Sequence, residues 1–519
     1  MSQHSKTNKH NVMPSRKGAI SKLGGAEVKL PDPSAPKIGM NTQPLAMNNH
    51  EPPEPEAHPE PPIVGTDSDN ANLFVSEHGK DIRWCEPLHY WLTWDGRRWK
   101  RNNGLEVKRL ADKTARALLR KSAQFPEEIA RKLAGVALQL LSEGRMMSMI
   151  EASKRKVEVL ETALDNDRGF LTVRNGVINL RTGALEPYEK ARMSTRMTDI
   201  PFDPTAKCPQ FMGFLRLIMG GNEDNIRWLL RAVGYSLTGY GDAKMFAYLY
   251  GGGDNGKSTF LETIIMLAGE YAQKSSIEAL LAGQRAKEQK NTPFTAALRG
   301  ARFVSTDEMM EGSILNASLM KDLTGGDKLT GMAKYQDPIE FYPSHFLWLY
   351  GNTKPTILDN SNAMWGRVKL ILFGVTIPVE MRKPINEVKD MFRAELSGIL
   401  NLVIEAARDA IENGIGTTET IQTETKEYQE GEDIVGRWLK EGCIQGPTYR
   451  VEKRQAYQLF HKWVENEGIQ DIPQSKTLTT RLRKFGIDLG GAGRKDYIGF
   501  RLNTPGDPSE LDDAQGEPM

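Results

Sequence analysis

Hydrophobic and polar positions along this 519-residue chain change period several times. From Lys244 to about Pro378, short β-rich apolar runs alternate with segments of helical spacing. That alternation predicts an α/β domain with a largely parallel sheet. Just before it, residues 208–239 (CPQFMGFLRLIMGGNEDNIRWLLRAVGYSLTG) read as two amphipathic helices. Earlier, Trp84, Trp91, Trp94 and Trp99 surround Asp95-Gly96, a dipeptide that favours a tight hairpin. Their grouping fits the core of a small β-element, with base stacking as the alternative. Helical patterning follows from about Val107 to Ala163. Phe170–Tyr188 then reads as two short strands, with turns at Asn175-Gly176 and Thr182-Gly183.

Past the α/β region, AELSGILNLVIEAARDAIENG is a helix ended by Gly414, and the Thr/Glu-rich stretch 417–432 reads as a linker. In the last ordered segment Ala456, Leu459, Phe460, Trp463 and Val464 recur at helical core spacing. A second helix is expected to start at Ser475 as N-cap, with Leu478, Leu482 and Phe485 inward. Arg494-Lys495 should form the tip of a closing hairpin. Helix, helix and hairpin together predict a winged helix. Between Arg450 and Arg501 eleven basic residues face six acidic ones. Arg481, Arg483, Lys484, Arg494 and Lys495 are therefore candidates for duplex phosphate contact, against the alternative of a solvated basic face.

Composition sharpens this outline. The net charge of +1 rules out a uniformly basic surface, so nucleic-acid contact must come from local patches. Cys85, Cys208 and Cys443 lie far apart with no CxxC pair, which argues against a disulfide framework or a cysteine zinc site. No apolar run reaches membrane-span length and the N-terminus lacks a signal-peptide core, so a soluble cytoplasmic protein is expected. The first 65 residues hold 11 of the 28 prolines, the composition of a disordered arm. The expected order is a disordered arm 1–68, an α+β region 69–205, an α/β domain with helical lead-in 206–415, a linker 416–432, a winged helix 433–503 and a disordered acidic tail 504–519.

Candidate chemistry centres on Gly251-Gly252-Gly253-Asp254-Asn255-Gly256-Lys257-Ser258-Thr259. The run fits G-x-x-x-x-G-K-[ST] between an apparent strand and an apparent helix. Glycines let backbone N–H groups wrap a phosphate chain, and the following helix adds its N-terminal dipole. Lys257 is expected on the β- and γ-phosphates of a nucleoside triphosphate, and the Ser258 hydroxyl on Mg²⁺. The strand of ARFVSTDEMMEG ends in Asp307, a candidate magnesium ligand, and Glu308, a candidate base for the attacking water. The strand of HFLWLYGNTKP ends at Asn352, placed to contact the γ-phosphate. Arg367, in DNSNAMWGRVKLILF, is either a surface ion-pair residue or an arginine finger from a neighbouring subunit.

Taken in order, loop, Asp-Glu, Asn and Arg, with LMKDLTGGDKLTGMAKYQDPIEFYP between the second and third, resemble the superfamily 3 helicases. The nearest pattern is that of phage and plasmid primase-helicases related to the poxvirus primase-helicase. The resemblance runs from about Thr66 to Phe500. It implies an AAA+-type P-loop core, a homo-hexameric ring with ATP at subunit interfaces, and pore hairpins that pull single-stranded DNA. Arg367 would then be the trans-acting finger and Asn352 the sensor. Lys328 and Lys334 are the cations near the pore segment, where relatives often carry Arg and this chain has Met332. Gly366 stands where relatives often pair a second arginine with Arg367. The expected activity is a replicative helicase of a phage or mobile element, working with host or phage replication proteins. Primer synthesis is not expected, and 3′→5′ travel follows from resemblance only. An AAA+ loader or remodeller without unwinding, and an origin-binding protein with a vestigial ATPase, are the competing readings.

Overall fold

A computed structural model describes residues 60–282, 293–332, 337–467, 473–491 and 493–503. Most of the expected N-terminal arm, the C-terminal tail and Lys334 lie outside the described residues. Helix α1 (Asp67–His78) starts two residues before the expected boundary. The Thr66 hydroxyl caps it by accepting from Asp69 N at 3.1 Å, and Asp67 and Asp69 complement the helix dipole. An antiparallel sheet follows, of β1 (Ile82–Cys85), β2 (Tyr90–Trp94) and β3 (Trp99–Asn102). Helices α2 (Leu105–Ser122), α3 (Glu127–Leu140) and α4 (Glu143–Lys154) complete this module. Trp84, Trp91 and Trp99 are buried in it, whereas Trp94 is only half-buried.

The next sheet, β4 (Phe170–Val173), β5 (Gly176–Asn179) and β6 (Leu185–Glu186), has one strand more than the pattern suggested. Its Leu171, Val173, Ile178 and Leu180 share a core with α5 (Pro209–Ile218) and α6 (Glu223–Thr238) rather than with α1–α4. Strands β4 and β5 therefore pack with the helical lead-in rather than with α1–α4. Buried Arg302 fixes this joint: its Nη1 donates to Phe170 O at 2.6 Å and Leu237 O at 2.7 Å. Alternating hydropathy cannot report such a contact, because both sheets are equally apolar on their inner faces.

The central sheet is parallel throughout, in the order β13-β7-β12-β9-β8. Its strands are β7 (Phe246–Tyr250), β8 (Ala272–Ser275), β9 (Phe303–Thr306), β12 (Phe346–Gly351) and β13 (Val368–Leu372). Between them lie α7 (Lys257–Ala268), α8 (Pro293–Ala297), α9 (Ala317–Leu323), the hairpin β10 (Leu329–Gly331) and β11 (Ile339–Phe341), and α10 (Asn362–Trp365). Helices α11 (Ile385–Ala394) and α12 (Leu396–Asn413) return across the core. The carboxylate of Glu395 at their junction accepts from Gln210 N at 3.1 Å and Phe211 N at 2.9 Å, capping α5.

The stretch read as a linker is helix α13 (Glu419–Glu432), capped by Thr418, whose hydroxyl accepts from Ile421 N at 3.1 Å. It covers the edge strand β13, and Leu370 N donates to the Thr425 hydroxyl at 3.2 Å. Tyr428 packs edge-on against Trp365 with ring centres 5.0 Å apart. Beyond it come α14 (Ile434–Glu441), β14 (Cys443–Glu452), α15 (Lys453–Asn466), α16 (Ser475–Leu482), β15 (Asp488–Gly490) and β16 (Asp496–Leu502). The strands pair antiparallel in the order β14-β16-β15 around Trp438, Phe460 and Phe500. Three details differ from expectation. Leu459 and Phe485 are exposed, since the stripe needed here is filled by Ala456, Phe460 and Val464. Ser475 is the first helical residue, after Gln474 as N-cap, and makes no capping bond.

Helices α6 and α12 touch through Gly234, where an added Cβ would meet Ala407 N at 2.4 Å. Gly213 on α5 faces open space. Gly234→Ala should lower stability by about 1–3 kcal/mol, and Gly213→Ala should raise it by about 0.4–1 kcal/mol. Thermal unfolding of the full chain reads both, as melting temperatures shifted in opposite directions.

Candidate functional site

Strand β7 ends at Tyr250 and α7 begins at Lys257, so six residues turn the chain at the carboxyl edge of the sheet, where α/β folds bind ligands. Two glycines are sterically required. A Cβ at Gly251 would lie 2.3 Å from Phe373 O, and one at Gly256, with φ +81°, would lie 2.7 Å from Ile218 Cγ2. Gly252 and Gly253 face open space, so the mouth of the loop is free of side chains. Asn255 pins the loop from inside, its Nδ2 donating to Phe373 O at 3.0 Å. Lys257 is only 4% exposed. Its ammonium reaches Gly251 O at 2.8 Å, Asn255 Oδ1 at 2.9 Å, Asn352 Oδ1 at 3.1 Å and Gly252 O at 3.2 Å. Burial lowers its pKa, opposed by the charge of Glu308.

Three strands deliver the remaining groups to the same edge. Asn352 follows β12, which pairs directly with β7. Asp307 and Glu308 follow β9, the next strand over, and Met309 N donates to Tyr350 O at 2.8 Å, which keeps the two strand ends together. Asp307 forms an ion pair with Lys274 at 3.2 Å. The Tyr350 hydroxyl lies near Ser258, Lys274, Glu308 and Asp307, and burial raises its pKa. The Thr306 hydroxyl, next in the chain to Asp307, is buried without a hydrogen-bond partner. Among the described residues no group of three His, Cys, Asp or Glu side chains could hold a metal ion. A divalent cation here would therefore rest on the Ser258 hydroxyl, Asp307 and phosphate oxygens, the donor set that suits magnesium. Thr259 is half-buried in the first turn of α7.

Arg367 is not part of this cluster. It precedes β13, and its carbonyl accepts from Phe246 N at 2.9 Å, at the opposite edge of the sheet from the loop. The length of β7, at about 3.3 Å per residue, puts about 16 Å between Arg367 and its own loop. Its guanidinium bonds to the Thr324 hydroxyl at 3.1 Å and to Ala363 O. Arg382, absent from the sequence reading, does reach the loop. It donates to Asp254 Oδ2 at 2.7 Å and to Ile377 O at 2.8 Å, while Ile377 N donates to Asp254 O at 2.9 Å. Asp254 holds φ +59°, so this clip secures a strained residue. Arg382 lies in an aperiodic stretch between Pro378 and Pro384, where neither spacing nor motif marks it. Lys274 and Tyr350 were likewise unmarked, although each sits at or near a strand end.

The cations proposed for DNA divide in the same way. Lys328 beside the β10–β11 hairpin is paired with Glu340 at 2.6 Å. Arg481 donates to Leu358 O at 3.0 Å and Lys484 to Asn360 O at 3.1 Å, so two of the basic residues of α16 and its extension touch the segment leading to α10. Arg483 lies 3.5 Å from Asp488, whereas Arg494 and Lys495 are exposed in the β15–β16 turn.

Residues 71–220 match the family described as D5 N terminal like, and residues 249–367 match a family of unknown function, DUF5906. The chain is 25% identical over 338 residues to the provisionally named helicase L207/L206 of Acanthamoeba polyphaga mimivirus, covering 61% of this chain and 35% of that protein. It is 21% identical over 313 residues to the provisionally named primase C962R of African swine fever virus, covering 55% and 32%. The chain thus covers about a third of the length of these curated relatives. The apo C-terminal region of NrS-1 aligns in structure at 8% identity with a TM-score of 0.45, over 83% of this chain and 99% of that one. A D5 N-terminal-like segment ahead of the parallel sheet, with viral relatives provisionally named helicases and primases, supports a D5-like primase-helicase family.

Proposed function

We propose that this chain is an ATP-driven DNA helicase subunit of phage or mobile-element replication, with an AAA+-type core assembled as a homo-hexameric ring. The observation that carries the reading is the division of the catalytic set. Lys257, Ser258, Asp307, Glu308 and Asn352 gather at the carboxyl edge of one sheet, while Arg367 stands at the opposite edge and cannot reach its own loop. A second subunit completes such a site.

In this reading the triphosphate enters the open side of the loop at Gly252 and Gly253. Lys257 exchanges its carbonyl partners for β- and γ-phosphate oxygens, which are stronger acceptors for an ammonium. Ser258 and Asp307 hold Mg²⁺, which when bound neutralises phosphate charge. Glu308 takes a proton from the attacking water, and Asn352 exchanges its contact with Lys257 for one with the γ-phosphate or that water. The neighbour's Arg367 stabilises the charge of the transition state. Lys328 beside the β10–β11 hairpin would grip single-stranded DNA, together with Lys334, which lies outside the described residues. The α14–β16 module has the helix and strand order of a winged helix, and its exposed Arg494-Lys495 turn would meet duplex phosphates, whereas Arg481, Arg483 and Lys484 would have to leave Leu358 O, Asp488 and Asn360 O to join it.

Lys257→Ala and Arg367→Ala should each lower DNA-stimulated ATP hydrolysis at least about a thousandfold. Mixing the two variants should restore part of it, because an intact loop then meets an intact finger. Absence of any recovery in mixtures that form rings would remove the shared site. A forked-duplex assay separates the helicase from a loader, which hydrolyses ATP without displacing a strand.

Arg382→Gln should raise KM for ATP about fivefold to tenfold with kcat little changed, because the loop loses its clip while the catalytic carboxylates stay in place. Asp254→Asn should do the same. The double variant should be no worse than either single one, the signature of a coupled pair.

A further inference from the structure

Positive charge is concentrated on one helix of the D5 N-terminal-like module. Helix α2 holds six basic residues and two acidic ones, in a chain whose net charge is only +1. Val107, Ala111, Thr114, Ala115 and Leu118 form its buried side, and the apolar ones among them join the core shared with α3 and α4. The cations lie on the other side. At 3.6 residues per turn, Arg109, Lys113, Arg116 and Arg120 fall within an arc of about 60° and follow one another along about 16 Å of helix. All four are exposed.

This spacing is unfavourable for the helix itself. Arg109 and Lys113 are four residues apart, Lys113 and Arg116 three, and Arg116 and Arg120 four, so like charges face each other at every turn of the row. Two acids answer them: Glu106 pairs with Arg109 at 3.1 Å and Asp112 with Arg116 at 2.7 Å. Both pairs stand in solvent, where such contacts contribute little. Lys113 and Arg120 form no ion pair among the described residues. A face that needed only solvation could mix both signs and gain from their attraction. An aligned row of cations forgoes that gain, and an external polyanion would neutralise all four at once.

We infer that the outer face of α2 binds duplex DNA through its phosphate backbone. The partner is identified by charge complementarity and by what the helix lacks. It has no aromatic residue on which an unpaired base could stack, and stacking is what favours a single strand. Its apolar side is already occupied by the module core, which leaves nothing to enter a lipid surface. A duplex presents one negative charge per about 1.7 Å of its axis, in fixed rows that a straight helix can follow. Backbone contacts of this kind position a protein on DNA without reading sequence. The surface belongs to neither the proposed pore nor the α14–β16 module, and it does not depend on ATP hydrolysis.

The test uses the full chain without nucleotide and a fluorescent DNA duplex of about 20 base pairs, two helical turns, titrated by anisotropy at several salt concentrations. Lys113→Gln with Arg120→Gln should weaken binding about tenfold and flatten the log–log salt slope by about 1.8, the loss of two phosphate contacts. The melting temperature of that variant should hold or rise, because like-charged neighbours have been removed from α2. Arg227→Gln with Arg393→Gln takes two exposed charges from α6 and α11 and should leave binding unchanged. Saturating duplex should protect Lys113 from acetylation, read by mass spectrometry, and leave Lys426 on α13 reactive. The same fold-change is expected in an Arg494→Gln/Lys495→Gln background, which removes the exposed turn of the other proposed duplex surface. Unchanged affinity in the folded Lys113→Gln/Arg120→Gln variant, an equal loss in the Arg227→Gln/Arg393→Gln control, an unprotected Lys113, or tighter binding of a single strand of the same length would each overturn the assignment. Repeating the titration in Lys257→Ala separates this surface from the ATPase reading, since the duplex should bind equally there.

Discussion

A buried ammonium organises the core of this protein. Lys257 is almost wholly removed from water, and an unpaired charge in that position would cost several kcal/mol. The fold meets the demand with oxygens from three places: the loop carbonyls of Gly251 and Gly252, the amide of Asn255, and the amide of Asn352 on a different strand. The last contact requires β12 to lie beside β7 and to end level with it. Their parallel pairing, with Gly351 opposite Tyr250, provides this. Placing β9 on the far side of β12 then brings Asp307 and Glu308 to the same edge. One charge thus ties together the loop, the strand order and the carboxylates.

What could be read from sequence follows from how local each constraint is. The loop is legible because steric demands at Gly251 and Gly256 act on neighbours in the chain, and because the strand and helix around it carry clear periods. Asp307, Glu308 and Asn352 are legible because each directly follows an apolar run that can only be a strand. Arg382 is not, since its meaning lies wholly in Asp254, 128 residues earlier in the chain. Helix α13 was hidden for a related reason. Ile421 and Tyr428 are its buried apolar residues, seven apart in a Thr/Glu-rich stretch, and what fixes it is the open edge of β13. The core that β4 and β5 join was hidden because apolar alternation does not say which core a strand enters; Arg302 bonds carbonyls on distant segments there.

The same packing explains how the two edges of the sheet are kept in step. Arg367 follows α10, whose Trp365 packs on Tyr428 of α13, and Tyr428 in turn donates to Pro355 O. Ile357 N donates to Glu432 at the end of α13 at 3.0 Å. Arg481 and Lys484 hold the intervening carbonyls of Leu358 and Asn360. The segment between Asn352 at one edge and Arg367 at the other is therefore braced along its length by α13 and by the C-terminal module. Both ends of that brace carry residues of the proposed catalytic set: Asn352 touches Lys257, and Arg367 lies at the opposite edge. A displacement at the loop that moved Asn352 would act on a short, tightly held connection. The finger edge would have to move with it or break contacts with Tyr428, Glu432, Arg481 and Lys484. Interiors packed this closely shift between discrete arrangements rather than deforming smoothly. In the proposed ring, the edge that holds a subunit's own triphosphate and the edge that serves its neighbour's would then be two ends of one rigid unit.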